Sequence, residues 1–344
     1  MVINKTYNIE GKKVDCLFNM ELSAAMNLHA NKKNILLVDE QLYKLHQVKF
    51  EGCNIIVVPS GEKNKTQSCV DDIINQLLQL QINKDDFIIG VGGGVLTDIT
   101  GYVASIYKRG IGFGLVPTTV LSMVDAAIGG KNGINVGLHK NMVGTICQPE
   151  FIVYDFSFLD TLAETEWING FAEIIKHACI LDASLFSFLQ QHELTSFQKN
   201  QDLLKKLIMQ NIDIKFGVVQ SDVNEAGNRK LLNFGHTFGH AIENLQGISH
   251  GAAVSIGMVI AAKISELYAN LPPSSTYQII NLLKKYGLPI TIETNSETLF
   301  EQLISDKKRT GDEIQFVLLR EIGDAIIKNI SIPGLKSSYK EMTT

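Results

Sequence analysis

The chain has 344 residues, 45% of them hydrophobic and 19% charged, with a formal net charge of -5. That is enough chain for two domains and enough apolar material for a core in each. The acidic balance argues against a nucleic-acid partner, so an anionic ligand needs a local cluster of Lys and Arg. No apolar run approaches the ~20 residues that span a bilayer, and the opening MVINKTYNIEGKK lacks the apolar core of a signal peptide. The expectation is a cytoplasmic protein with no membrane partner. Cys16, Cys53, Cys69, Cys147 and Cys179 form no C-x-x-C pair. They read as reduced and mostly buried, and supply neither staples nor metal ligands.

Short apolar, β-branched runs come first: NILLVDE, NIIVVPSGE, DFIIGVGGG, GFGLVPTT and EFIVYDF, separated by helical stretches. Such alternation predicts a parallel sheet with helices on both faces. Near residue 155 the pattern turns helical, as in ETEWINGFAEIIKHACIL, DLLKKLIMQNIDIKFGVV and AAVSIGMVIAAKISELYANL, the last ending before the breaker PP. We expect an α/β domain over residues 1–158 and a mostly α-helical one over 159–344, with a late hairpin in EIQFVLLREIGDAIIKNISI.

Within the first half, FIIGVGGGVLTD runs a buried strand into Gly92, Gly93 and Gly94 with a helix starting behind them. That geometry lets backbone N–H groups approach a pyrophosphate at a helix N-terminus. The spacing is not G-x-G-x-x-G, and a turn that merely needs glycine leaves the same trace. Asp39 closes its strand where a carboxylate meets a ribose hydroxyl, or simply caps the next helix. The polar stretch PTTVLSMVDAAIGGKNGINVGLHKN reads as loops, with Lys131 and then Lys140 beside Asn141 as anion-holding positions or as solvated surface lysines.

The second half holds GHTFGH, with His236 and His240 four apart and therefore on one helical face, and His250 opens HGAAVSIGM. Glu173 in GFAEIIKHA could join two of these histidines at a metal and leave a position open for a substrate oxygen. Lys176 follows one turn after Glu173, and His177 is a rival ligand that could equally be a packed histidine.

PSGEKNK, VGGGVLTDITGYVASIYKRG, VPTTVLSMVDAAIGGKNGINVGLHKNMVGT, NGFAEIIKH, EAGNRKLLNFGHTFGHAIE, HGAAVSIGM and DKKRTG occur in that order between about Asp39 and Gly323. In these stretches the chain resembles the 3-dehydroquinate synthases, the family of the second shikimate-pathway enzyme. The resemblance implies a Rossmann-like NAD-binding domain over 1–158, a helical metal- and substrate-binding domain over 159–344, and a homodimer with its active site between the domains. It assigns zinc, with cobalt as a possible substitute, to Glu173, His236 and His250, and gives His240 a proton-handling role beside the substrate. Lys131, Asn141, Asn233 and Lys307 match residues around the substrate phosphate, and Arg109 matches an arginine reaching a phosphate across the dimer interface. Lys176, Lys215 and Arg229 match positions around the substrate's carboxylate and hydroxyls, and Asp125 an acid near the nicotinamide. NAD is matched to Asp39, Glu62, Lys65, Gly93, Gly94, Val95, Asp98, Thr118, Thr119, Lys131, Lys140 and Thr161.

The implied substrate is a phosphorylated sugar acid, 3-deoxy-D-arabino-heptulosonate 7-phosphate. Its conversion proceeds by transient oxidation with NAD, phosphate elimination, reduction and an aldol closure. Thr97, Leu115 and the pair Ala126 and Ala127 depart from the family pattern near the nucleotide loop. Alternatives are a related sugar-phosphate cyclase such as 2-deoxy-scyllo-inosose synthase, a metal-dependent dehydrogenase of the glycerol type, and a non-catalytic nucleotide binder. The pair Lys215 and Arg229, suited to a substrate carboxylate, speaks against the first of these.

Overall fold

The computed structural model describes residues 1–137, 139–293, 295–306 and 312–343. Its contacts form two compact units: Met1–Glu166 with Lys215–Val223, and Trp167–Ile214 with Asn224–Thr344.

Among its described residues the first unit carries nine strands: β1 (Ile3–Ile9), β2 (Lys12–Phe18), β3 (Asn34–Asp39), β4 (Ile55–Val58), β5 (Phe87–Gly92), β6 (Gly112–Pro117), β7 (Lys131–Val136), β8 (His139–Ile146) and β9 (Phe151–Tyr154). Seven of them form one sheet in the order β1-β2-β9-β6-β5-β3-β4, parallel throughout except for the antiparallel β1–β2 pair. The five apolar runs of the sequence are β3, β4, β5, β6 and β9. In β5 and β9 every residue is buried, which is why their sequences are continuous rather than alternating. Ile89, Val91, Val116 and Val153 lie in the core, where the Phe87 and Phe151 rings stack at 5.5 Å.

Two hairpins extend the expected picture. β1 and β2 join through Glu10 and Gly11, both at positive φ (48° and 83°), the backbone that a two-residue hairpin turn requires. The polar stretch expected as loops instead forms a π-helical turn, Ser122–Ala126, followed by the antiparallel pair β7–β8. Every β8 residue but Thr145 is exposed, so no apolar period marked that strand. Of the cysteines expected to be mostly buried, Cys16 and Cys179 are buried and the other three only partly; none of the five is in a disulfide.

The first unit also runs past residue 158. Asp155 accepts from Leu22 N at 3.1 Å and caps the turn Phe156–Thr161, whose Phe156 and Phe158 are buried. Lys215–Val223 returns to this unit because the Phe216 ring stacks on Tyr7 at 3.8 Å and 7°.

After residue 158 the long apolar periods become the helices Glu164–Leu181, Gln201–Ser221 and His250–Tyr268, and the late hairpin is β10 (Glu313–Glu321) with β11 (Asp324–Ser331). Contrary to the expectation that no run approaches membrane-spanning length, the helix His250–Tyr268 is long and apolar enough to cross a bilayer. Its apolarity serves the interior, since Val254, Met258, Ala261, Ala262 and Ile264 are buried.

That helix crosses His236–Gln246 at backbone contact. A Cβ on Gly257 would lie 1.9 Å from the Gly235 carbonyl oxygen, and one on Gly239 3.2 Å from that of Ala253. Gly235 itself sits at φ +79°, a turn that L side chains rarely adopt. These glycines hold together the two helices whose first residues are His236 and His250. Gly257→Ala is expected to destabilise the fold by about 1–3 kcal/mol through overpacking. An unchanged urea midpoint would show that the crossing has slack.

Candidate active site

The second unit gathers its chemistry at three helix segments. Glu173, on Glu164–Leu181, is 0% exposed and ion-paired with Lys176, itself 1% exposed. Its Oε1 lies 3.6 Å from His236 Nε2 and 3.2 Å from His250 Nε2. One ligand atom from each of Glu173, His236 and His250 falls within 4.8 Å of the others. One carboxylate oxygen and two imidazole nitrogens suit zinc or cobalt, and three protein ligands leave a coordination position open.

The imidazoles are oriented from behind. His236 Nδ1 lies 3.2 Å from the Phe234 carbonyl oxygen, a reach made by the left-handed turn at Gly235. His250 Nδ1 lies 3.3 Å from Glu243 Oε2. Burial and the nearby Lys176 ammonium hold His236 well below the ordinary imidazole range, keeping it neutral as a ligand must be. Burial alone would also depress His250, but the Glu173 and Glu243 carboxylates overcome it and raise His250 to about 10 in the metal-free protein. The His240 ring stands 5.2 Å from that of His236 at 89°, and 6.4 Å from that of His250. The rival, His177, is fully buried with its Nδ1 3.2 Å from Asn211 Oδ1. Arg229, on the turn Asn228–Asn233, is 3% exposed, and Asn233 donates to Glu225 at 2.7 Å.

In the first unit β5 delivers Gly93 as an N-cap without a capping side chain, and Gly94 and Val95 open the helix Gly94–Ile106. A Cβ on Gly93 would meet Thr119 at 3.3 Å and one on Gly94 would meet Ala126 at 3.1 Å, so a side chain at either position would crowd its neighbour. Thr118 N donates to the Gly92 carbonyl, and Thr119 exchanges bonds with Ser122 at 2.9–3.1 Å. The departing Thr97 is buried and returns its hydroxyl to the Gly94 carbonyl at 2.9 Å, and Leu115 is an interior residue of β6. Asp39 caps the helix Glu40–Leu45, where its Oδ1 accepts from Gln41 N, Leu42 N and the Ser60 hydroxyl.

Lys65, 4% exposed, donates to Asp98 and, at 2.5 Å, to Asn141 Oδ1. Burial raises the Asp98 carboxyl above the ordinary carboxylate range in spite of that ammonium. Sequence reasoning missed Asn135, which ties this group together. Its N–H donates to the Lys65 carbonyl at 2.8 Å, its side-chain amide donates to Glu62 at 2.8 Å, and its Oδ1 accepts from Asn141 N at 2.9 Å. The short motif GIN carried no residue-level signal for this role; pairing of β7 with β8 creates it. Asp125, on the π-helical turn, pairs with Lys215 at 2.6 Å. Thr161 Oγ1 meets His46 Nε2 at 2.7 Å. Lys131 and Lys140 are exposed on β7 and β8, as is Arg109, at φ 62°, on the turn after Ile106. Lys307 lies outside the described residues.

Residues 55–169 match the family described as 3-dehydroquinate synthase N-terminal, and 170–309 match 3-dehydroquinate synthase C-terminal. The chain belongs to the 3-dehydroquinate synthase family. A 3-dehydroquinate synthase of Thermodesulfovibrio yellowstonii is 38% identical over 323 residues, covering 92% of this chain and 90% of that protein. Two solved structures share the fold. The 2-epi-5-epi-valiolone synthase of Streptomyces hygroscopicus, with NAD+ and Zn2+ bound, superposes with a TM-score of 0.86 at 24% identity over 96% of each chain. A 2-deoxy-scyllo-inosose synthase complexed with carbaglucose-6-phosphate, NAD+ and Co2+ gives 0.85 at 23%, covering 98% of this chain and 99% of that one. The α/β domain with a helical partner domain expected from the sequence is the family's fold.

The Lys65–Asp98 pair gives a test on stability. Lys65→Met is expected to cost about 3–5 kcal/mol, because it leaves a mostly buried carboxylate without its cation. Lys65→Met with Asp98→Asn should recover much of that loss in denaturant titration.

Proposed function

We propose that the chain converts 3-deoxy-D-arabino-heptulosonate 7-phosphate to 3-dehydroquinate and phosphate, using NAD and a divalent ion, zinc or in its place cobalt. The convergence of Glu173, His236 and His250 within 4.8 Å, with His240 beside them, carries this reading, and the close relatives support it. When bound, the ion acts as a Lewis acid at the substrate hydroxyl that is oxidised, and the nicotinamide takes and returns its hydride.

The protein's own groups bind, orient and move protons. Glu173, His236 and His250 are the proposed metal ligands, and His177 is a packed residue bonded to Asn211. The open turn at Gly93, Gly94 and Val95, with Asp39, Glu62, Lys65, Asp98, Thr118, Thr119, Lys131, Lys140 and Thr161, is proposed to hold NAD. Lys131, Asn141, Asn233, Arg109 and Lys307 are proposed for the phosphate. Lys176, Lys215 and Arg229 are proposed for the carboxylate and hydroxyls, with Asp125 near the nicotinamide. His240 exchanges protons with the substrate, because its imidazole is beside the ligands without being one.

A homodimer completes the reading. β7 and β8 form a separate two-stranded sheet that exposes Val136 (50%), Met142 (64%), Val143 (41%) and Ile146 (50%), a surface suited to burial by a second copy. Five cysteines outside any disulfide accord with a reducing cytoplasm.

Incubation with the heptulosonate phosphate and catalytic NAD should release phosphate and dehydroquinate in equal amounts, and stoichiometric NADH accumulation would instead mark a dehydrogenase. Glu173→Ala, His236→Ala and His250→Ala should each lose bound metal and activity together; full zinc occupancy in any of them overturns the ligand set. His240→Ala should keep metal and NAD and lose about 10²-fold or more in rate, and a fully active variant removes its proton role. Arg229→Lys should raise KM for substrate while leaving NAD affinity unchanged, and unaltered kinetics would favour a cyclase whose substrate lacks a carboxylate.

A further inference from the structure

Glu243 closes the stretch GHTFGHAIE and takes no part in the function proposed above. Its carboxylate nevertheless lies 3.3 Å behind His250, against Nδ1, while Nε2 of the same ring faces Glu173 at 3.2 Å. The Glu243 side chain is 10% exposed and that of His250 28%, so neither is a freely solvated surface group. His236 shows the same arrangement with a different partner: Nε2 faces Glu173 and Nδ1 faces the carbonyl oxygen of Phe234. Both rings are therefore held with Nδ1 as donor and Nε2 turned to the shared carboxylate. An imidazole that donates its rear N–H to a carboxylate is both fixed in tautomer and made a stronger donor at its front nitrogen. A backbone carbonyl does the first more than the second.

Resting on the proposed ligand set, we propose that Glu243 is a positioning residue for the metal centre: its charge fixes His250 with Nε2 forward and strengthens that nitrogen as a ligand. Helix geometry makes the contact specific. Glu243 lies in the last turns of His236–Gln246, and the left-handed Gly247 (φ 63°) ends that helix three residues before His250 opens the next. The carboxylate and the imidazole thus meet across a tight connection, seven residues apart in sequence.

The test is chelator-competition titration of the full-length protein with zinc, and the visible absorption of the cobalt-substituted form. Glu243→Gln preserves shape and one acceptor but removes the charge; Glu243→Ala removes both. Zinc affinity is expected to fall in the order wild type, Gln, Ala, with the Ala variant about 10–100-fold weaker and the cobalt bands shifted in both variants. Circular dichroism of the metal-free proteins should remain alike, which separates positioning from a general loss of fold. A Glu243→Gln variant with wild-type zinc affinity and unshifted cobalt bands overturns the proposal. His250→Ala in the same titration distinguishes the two levels: wild-type affinity there overturns the ligand assignment, and this inference with it.

Discussion

A carboxylate with no solvent exposure, at Glu173, is the constraint around which the second unit is arranged. Removing an ionised carboxyl from water is costly unless partners replace the hydration it loses. Lys176, three residues on, supplies the charge on the same helix. His236 and His250 arrive from elsewhere, each as the first residue of its own helix. Their arrival depends on the glycine contacts at Gly235, Gly239 and Gly257, because the two helices must approach at backbone distance for both Nε2 atoms to reach one oxygen. Packing, ion pairing and ligand geometry are thus one problem with one solution.

The first unit solves a similar problem with a different residue set. Lys65 is nearly as buried as Lys176, and its ammonium is shared between Asp98 on a helix and Asn141 on β8. Asn135 closes the ring by holding Glu62, the Lys65 backbone and the Asn141 backbone at once. An isolated two-stranded hairpin is marginal in water, and these bonds, with packing on the helix Gly94–Ile106, hold β7–β8 where it is. Lys131, proposed for the phosphate and NAD, and Lys140, proposed for NAD, therefore sit on a fixed element, although the same residues read as loop.

What was legible follows from where the physics is local. β3, β5, β6 and β9 showed themselves because burial demands unbroken apolar runs, and the helix Glu164–Leu181 because it is buried on every side from Asn169 to Ile180 and is too long and apolar for a loop. β1 escaped because one of its inward positions is Lys5, which breaks the apolar alternation between the exposed Asn4, Thr6 and Asn8; β8 escaped because it buries almost nothing. The metal candidates were visible as residue types at suggestive spacings, but the choice between His240 and His250 as partner to His236 came from the family resemblance alone. In the fold it is Gly235 that turns the His236 ring toward Glu173, while His240, one turn further along the same helix, stands perpendicular to it. Glu243 and Asn135 had no local signature at all, since each acts through a contact that exists only after a turn has closed.

The charge count at Glu173 has a consequence of its own. Its negative charge is already matched by Lys176, and the two imidazoles bring none. A divalent ion held by the proposed set would keep most of its positive charge unneutralised, in contrast to a cage of carboxylates, which would quench it. Whatever oxygen completes the coordination meets a strong electrophile, and a substrate bearing two acidic groups is drawn toward a centre of net positive potential. With the proposed ion bound, the overall acidity of the chain would conceal a site whose local sign is the opposite.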